Sequence, residues 1–140
     1  LSPRMVMTPW YDYAIPMTEA AELGTRKVIT DHSTVGVVVT TDGTITDIPR
    51  EDYQEAEERC IRELQDLEKP FVVLLNSAYP ESNETKALAE ELEMRYGTRC
   101  LPVNCTEMDE GEIAEIIKNL LYEFPLQELN LFLHTSLFYF

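Results

Sequence analysis

The chain has 140 residues, of which 44% are apolar and 26% charged, so it fits one ordinary globular domain with a substantial core. Its formal net charge of −15 disfavours binding to nucleic-acid phosphates and to anionic membrane surfaces. Three cysteines without a CxxC spacing argue against a disulfide framework, and two histidines argue against zinc. Without a signal peptide or an apolar run of about 18 residues, we expect an intracellular protein that does not span a membrane.

The sequence of residues 1–32 indicates an irregular segment followed by a helix. Residues 1–16 carry Pro, Met and aromatic side chains without a clear period, which predicts an irregular loop or short strand pieces. Residues 17–32 predict a helix with a narrow face of small side chains, among them Ala20, Ala21 and Gly24. The chain begins at Leu1 rather than Met, which suggests an excerpt of a longer protein.

Strands and helices then alternate. A β-branched run from Val35 to Thr40 predicts a strand buried on both faces, and residues 71–75 predict a second one. A shorter strand at 100–103 contains Pro102, which favours an edge position or a strand start, and residues 129–133 alternate as a fourth strand. Apolar side chains at helical spacing predict helices between these strands, from about Glu51, from Asn83 to Tyr96, and from about Asp109 to Pro125.

This order predicts an α/β fold with three layers, in which a mainly parallel sheet of about four strands is flanked by helices. In such sheets ligands bind outside the carboxyl ends of the strands. Three polar clusters follow those ends, at residues 40–43, 76–77 and 104–106. We therefore expect them to converge on one edge of the sheet.

The familiar catalytic motifs are not in the sequence. No GxxxxGKS/T loop, GxGxxG, GxSxG or HExxH is present, and the five glycines are isolated. The spacing gives no support for a Cys105–His pair. Asp42 follows a predicted strand as the phosphate-accepting Asp of a receiver domain does, but the earlier acidic pair and the later Lys of a receiver are missing. For Asn76, an ordinary turn residue at a strand end remains the simplest interpretation.

Several unusual stretches nevertheless resemble the stage IV sporulation protein A family of spore-coat morphogenetic ATPases. They include TPWYD, EAAELGTRKVI, DHSTVG, TTDGTI and KPFVVLLNSAYPESNETKALAEELEMRYG, and the similarity covers about residues 3 to 131. The resemblance implies a partial P-loop NTPase fold of the translation-factor class. It assigns residues 1–126 to the carboxyl-terminal part of the ATPase domain and residues 127–140 to the start of the following domain.

The resemblance also gives Asn76 a role. In GTPases of this class an NKxD motif reads guanine, and the aligned tetrad here is Asn76-Ser77-Ala78-Tyr79, which lacks the carboxylate. A site without that acceptor has no strong reason to prefer guanine to adenine. The implied base-side residues are Asn76, Ser77, Asn104, Cys105 and Thr106. Trp10 and Tyr11 are implied as relays at the tail of a nucleotide-responsive switch, although they could equally cover a sheet edge.

The family hydrolyses ATP with Mg²⁺ and uses the energy to polymerise into the basement layer of the spore coat around the forespore. The resemblance therefore implies a mother-cell cytoplasmic protein whose partners are further copies of itself, a small amphipathic membrane-anchoring peptide and spore-coat proteins. The phosphate loop and the metal ligands of the family have no counterpart in this sequence, so we expect the 140-residue chain alone to be inactive.

Two other hypotheses stay open. The segment could be a structural polymerisation and coat-protein interaction module with a vestigial nucleotide edge. It could also be a doubly wound binding module for an unrelated ligand. The apolar terminus Leu137–Phe140 has no predicted partner and could pack on a following domain.

Overall fold

The computed structural model describes residues 2–122. The chain divides into two compact units after Thr34. The predicted fourth strand at 129–133, the domain boundary at 126–127 and the apolar terminus lie outside the described residues.

The first unit is a hairpin followed by a helix. Strands β1 (Met5–Thr8) and β2 (Tyr11–Pro16) pair antiparallel, which gives the predicted short strand pieces a regular form. Helix α1 (Met17–Lys27) continues as a π-helical turn (Val28–His32), so the predicted helix over 17–32 is confirmed. The ring of Trp10 lies 3.5 Å from the position that a Cβ on Gly24 would occupy. The small residue therefore lets the hairpin aromatic pack directly on α1.

The second unit alternates strands and helices as the sequence predicts. Its strands are β3 (Gly36–Thr41), β4 (Phe71–Asn76) and β5 (Cys100–Val103), which pair in the order β3-β4-β5 and run parallel. Its helices are α2 (Glu51–Asp66), α3 (Asn83–Tyr96) and α4 (Glu110–Tyr122). The edge position predicted for β5 is confirmed within the described sheet.

Local sequence signals set the ends of these helices. The hydroxyl of Ser82 accepts from the backbone N–H of Thr85 at 3.2 Å at the start of α3, and Gly97 ends that helix in the left-handed region at φ 65°. Before α4, Asp109 and Glu112 accept hydrogen bonds from each other's backbone N–H at 3.1 and 2.8 Å. This reciprocal pair is a capping box with Asp in the place of Ser or Thr.

The helices cover both faces of the sheet. Leu64 of α2 lies 3.0 Å from the Cβ position of Gly36, and the Thr40 hydroxyl donates to Glu57, so α2 covers the face of β3 that carries Thr40. On the opposite face, Ile116 of α4 packs with Val72 and Leu74. The second unit is therefore the predicted three-layer α/β arrangement, with three parallel strands among the described residues.

The prediction that β3 is buried on both faces is wrong for these residues. Val37 and Val39 are exposed, Val39 to 57%. The physical reason is that β3 lies at an edge of the described sheet, while α4 packs on the strand next to it, β4. Within residues 35–122, Val37 and Val39 therefore lie outside the area that α4 covers.

Candidate functional site

Three loops meet at the carboxyl edge of the sheet, as predicted. The strand register places Thr41 beside Asn76, and Asn76 beside Val103. The ladder continues into the loops, because Asp42 N–H donates to the Asn76 carbonyl at 3.4 Å and Ser77 N–H donates to the Val103 carbonyl at 2.9 Å. The parallel strands thus align the three loops without side-chain help.

Two of the loops are joined by the side chain of Asn76. Its Oδ1 accepts a hydrogen bond from the backbone N–H of Cys105 at 3.0 Å, and Asn104 Oδ1 accepts from Thr106 N–H at 3.1 Å. The structure therefore brings together Asn76, Asn104, Cys105 and Thr106, four of the five residues implied for the base side. Within the described residues the Asn76 Nδ2 makes no hydrogen bond, so its two donors remain available.

The fifth residue, Ser77, is placed differently. Its exposed fraction is 0%, and its hydroxyl lies 3.2 Å from the Thr85 hydroxyl and accepts from Tyr79 N–H at 2.9 Å. The buried Ser77 side chain thus stabilises the loop through its hydrogen bonds and is not accessible to a ligand. Its predicted contact with a base stays a prediction.

The Asp42 carboxylate accepts several hydrogen bonds beneath the same edge, a role that could not be predicted from the sequence. Its Oδ1 accepts from the N–H and the hydroxyl of Thr44, at 3.0 and 2.6 Å, and its Oδ2 accepts from the Thr85 hydroxyl at 3.0 Å. Thr44 in turn accepts from Ala78 N–H at 2.9 Å. The carboxylate therefore links the loop after β3 to the loop after β4 and to the first turn of α3.

Asp42 is ionised at neutral pH. Burial raises the pKa of its carboxyl, but the nearby Ser77 hydroxyl and the hydrogen bonds from Thr44 and Thr85 outweigh burial and hold the pKa below its ordinary value of 3.8. A carboxylate that accepts this many hydrogen bonds stabilises the surrounding loops and does not act as a free acid. A phospho-acceptor role is thus disfavoured, because the oxygens are already committed.

We expect Asp42 to make folding stability fall in acid. Because its pKa is lower in the folded than in the unfolded chain, its stabilising contribution is present above the unfolded pKa and is lost as pH falls through the folded pKa. Urea titrations should show a steeper loss of unfolding free energy below about pH 4 for the wild type than for Asp42→Asn. Asp47→Asn, an exposed control in the same loop, should keep the wild-type slope. Equal slopes for wild type and Asp42→Asn would contradict the assignment.

A second buried carboxylate lies behind the edge. The Glu57 side chain is 1% exposed, and it accepts from both terminal nitrogens of Arg50, from the Thr40 hydroxyl and from the Tyr96 hydroxyl. Burial raises the Glu57 pKa, but the hydrogen bonds from Arg50, Thr40 and Tyr96 hold it below its ordinary value. Burial and the same carboxylate raise the pKa of Tyr96 to about 12. This Glu57 cluster joins α2, β3 and α3.

The loop from β3 to α2 leaves a small cavity of about 180 Å³ beside Asn76. It is lined by Val39, Thr40, Thr41, Ile45, Thr46, Tyr53 and Asn76. Gly43 has a positive φ of 89° in this loop, and a Cβ at this position would lie 3.0 Å from the backbone nitrogen of Arg50. The volume is smaller than a typical ligand pocket, so it cannot enclose a whole nucleotide.

None of the three cysteine thiols has the lowered pKa that would activate it as a nucleophile. Burial raises the pKa of Cys100 to about 12, and burial also raises the pKa of Cys60 and of the more exposed Cys105. Protonated thiols are poor nucleophiles at neutral pH. The contribution of Cys105 to the edge is its backbone N–H.

Trp10 and Tyr11 belong to the first unit. Trp10 packs on α1 at Gly24, and the rings of Tyr11 and Tyr13 stack with centroids 5.1 Å apart. These contacts suit packing within the hairpin. Their relay role stays a prediction.

Among residues 2–122, no group of three or more His, Cys, Asp and Glu side chains is placed to hold a metal ion. The same residues contain no helix with the length and apolarity that crossing a membrane requires. The described residues at this edge are thus three loops joined by hydrogen bonds over an internal polar network.

Comparisons with known proteins identify the family of the chain. The family model described as "Stage IV sporulation protein A, ATPase domain" matches residues 1–125. Stage IV sporulation protein A from Bacillus subtilis and from Clostridioides difficile are each 51% identical over 128 residues, 91% of this chain, and the Bacillus anthracis protein is 46% identical over the same length. The chain spans about a quarter (26%) of the length of these relatives. No solved structure matches significantly. The resemblance seen in the sequence is thus confirmed, and the chain belongs to the stage IV sporulation protein A ATPase-domain family.

Proposed function

We propose that this chain supplies the base-side loops of a sporulation ATPase that binds and hydrolyses ATP. The observation that carries the proposal is the hydrogen bond from Cys105 N–H to Asn76 Oδ1, which joins two loops at the carboxyl edge of a parallel sheet. Membership of an ATPase-domain family supports the choice of nucleotide. The phosphate loop and the Mg²⁺ ligands are absent from these residues, so the chain's own part is to bind and orient the base.

The polar groups at this edge give no strong reason to prefer guanine to adenine. Guanine presents two adjacent N–H donors and needs an acceptor carboxylate, whereas the Asn76 amide offers donors from Nδ2. The edge carboxylate Asp42 is engaged by Thr44 and Thr85. The choice of ATP therefore rests on the ATPase-domain family, since the described groups give guanine no carboxylate acceptor.

The biological role proposed with this activity is assembly of the spore coat. ATP hydrolysis drives self-assembly of the full-length protein into the basement layer around the forespore, in the mother-cell cytoplasm. A small amphipathic membrane-anchoring peptide and spore-coat proteins are the proposed partners, with Mg²⁺ as the proposed metal. The names of the relatives support a role in sporulation, and their ATPase domain supports the use of ATP. The assembly, the partners and Mg²⁺ are proposed from the resemblance of the sequence to the family.

A structural polymerisation module with a vestigial nucleotide edge is the second candidate. One observation favours it: apolar side chains are exposed on β3 and along α4. They are Val37, Val39, Ile113, Ile117 and Leu121. Exposed apolar surface of this kind suits a protein contact.

The test is Asn76→Ala in the full-length protein that carries this segment. We expect roughly tenfold weaker ATP binding, because the change removes the link between the two loops and the free amide donors. Equilibrium binding and steady-state turnover should be measured with ATP, with GTP as comparison.

Asn83→Ala is the matched control, since Asn83 is exposed at the start of α3 and should leave ATP binding unchanged. The 140-residue chain alone should not hydrolyse ATP. Unchanged ATP affinity and turnover in Asn76→Ala would refute the base-side role. Lost assembly with intact turnover would favour the structural module.

A further inference from the structure

The Thr44 hydroxyl joins the loop after β3 to the loop after β4. It accepts a hydrogen bond from the backbone N–H of Ala78 at 2.9 Å and donates one to Asp42 Oδ1 at 2.6 Å. Ala78 lies two residues beyond Asn76, on the loop that carries the proposed base contact. A single side-chain oxygen of the loop after β3 therefore holds the main chain of the loop after β4.

The Asp42 carboxylate sets the direction of this hydroxyl. A threonine hydroxyl has one proton and two lone pairs, so a proton committed to Asp42 leaves the lone pairs for the Ala78 N–H. Asp42 is itself held, because its Oδ1 also accepts from Thr44 N–H and its Oδ2 accepts from the Thr85 hydroxyl, each at 3.0 Å. The direction of the Thr44 hydroxyl thus depends on a carboxylate that is anchored to the first turn of α3.

The segment from Asn76 to Ala78 is held at both ends. At its start, the Asn76 carbonyl accepts from Asp42 N–H at 3.4 Å, and at its end the Ala78 N–H donates to Thr44. The Asn76 side chain is held as well, because its Oδ1 accepts from Cys105 N–H at 3.0 Å. The position of the Asn76 amide therefore depends on hydrogen bonds from both neighbouring loops.

The loop after β3 also shares a cavity with Asn76. Thr41, Ile45 and Thr46 line the volume of about 180 Å³ beside Asn76. Thr44 lies between these lining residues in the sequence, and its bond to Ala78 holds this wall of the cavity against the loop after β4. Loss of that bond would release the two walls from each other.

We propose that Asp42 and Thr44 are positioning residues for the proposed nucleotide edge: the carboxylate aligns the Thr44 hydroxyl, and the hydroxyl holds the loop that carries Asn76. The inference rests on the proposed function, because it requires that this edge binds the base of ATP. It adds the loop after β3 to the two loops that the resemblance to the family implies. In this role neither residue contacts the base, so both act on the affinity for ATP and leave the chemical step unchanged.

The experiment measures steady-state ATP turnover of the full-length protein at a fixed magnesium concentration. Thr44→Val keeps the shape of the side chain but leaves the Ala78 N–H without its acceptor. KM for ATP should therefore rise about fivefold, while kcat stays within about twofold of the wild type. Thr44→Ser keeps the hydroxyl and should keep KM near the wild-type value.

Asp42→Ala is the second variant, and it should raise KM by at least the same factor as Thr44→Val. The double variant should raise KM no further than Asp42→Ala, because both changes act through one hydrogen bond to the loop after β4. The matched control is Thr25→Val, which removes an exposed hydroxyl that bonds to the Ala21 carbonyl within α1. It should leave KM unchanged.

Thermal melts identify the variants that fold, and either Thr44→Val or Asp42→Ala carries the test alone. If the folded variants keep the wild-type KM while Asn76→Ala weakens ATP binding, the positioning role is wrong and the proposed function survives. An equal loss in Thr44→Ser, or a fall in kcat as large as the rise in KM, would also overturn the positioning role. If the wild-type full-length protein does not bind ATP, both proposals fall.

Discussion

Replacing Arg50 with alanine is expected to lower the free energy of unfolding by about 3–5 kcal/mol, because it leaves the Glu57 carboxylate buried without its counter-charge. In the wild type both terminal guanidinium nitrogens donate to Glu57, whose side chain is 1% exposed. The remaining donors, the hydroxyls of Thr40 and Tyr96, cannot neutralise a full charge. Urea unfolding of the 140-residue chain at pH 7, followed by circular dichroism, measures the loss.

The control is Lys86→Ala, which breaks the ion pair between Lys86 and Glu81 at 2.7 Å. Both of those side chains are largely exposed, so the expected cost is below about 1 kcal/mol. The double variant Arg50→Met with Glu57→Leu should recover much of the stability, because it removes the stranded charge together with its partner. A loss for Arg50→Ala no larger than for Lys86→Ala would show that Glu57 is solvated or protonated in the folded chain.

The Glu57 cluster also shows where reasoning from the sequence stops. The helical period of α2 could be predicted, and it assigned glutamates to the solvent face. Glu57 departs from that pattern because three partners distant in sequence converge on it, from the loop before α2, from β3 and from α3. A side-chain period carries no information about such tertiary partners, so the burial of this carboxylate could not be predicted.

The candidate site was predictable to the extent that it depends on topology. Parallel strands must place their carboxyl ends together, which is why the convergence of Asn76 with residues 104–106 followed from the element order alone. The orientation of Ser77 did not follow, because it depends on the hydroxyls of Thr44 and Thr85, both of which looked like ordinary turn and helix-start residues. The position of a motif residue in the sequence therefore does not establish that its side chain faces the ligand.

Leu75→Ala is expected to cost about 2–5 kcal/mol, since it deletes three buried carbons at the centre of the sheet and leaves a cavity. Leu75 is 0% exposed and lies between Thr40 of β3 and Pro102 of β5. The matched control is Val39→Ala on the exposed face of β3, which should cost less than about 1 kcal/mol in this chain. Urea unfolding of the two variants at one pH gives the comparison.

The two variants also test whether the face of β3 that carries Val37 and Val39 is exposed in solution. Leu75 is 0% exposed and Val39 is 57% exposed, so the two variants compare a covered position with an uncovered one. If Val39→Ala proves as costly as Leu75→Ala, the face of β3 that carries Val37 and Val39 is covered in solution. Because Asn76 follows Leu75 directly, the loss at Leu75 should also weaken the hydrogen bond that Asn76 receives from Cys105. We therefore expect packing of β4 to influence the position of the loops that we propose as the base side.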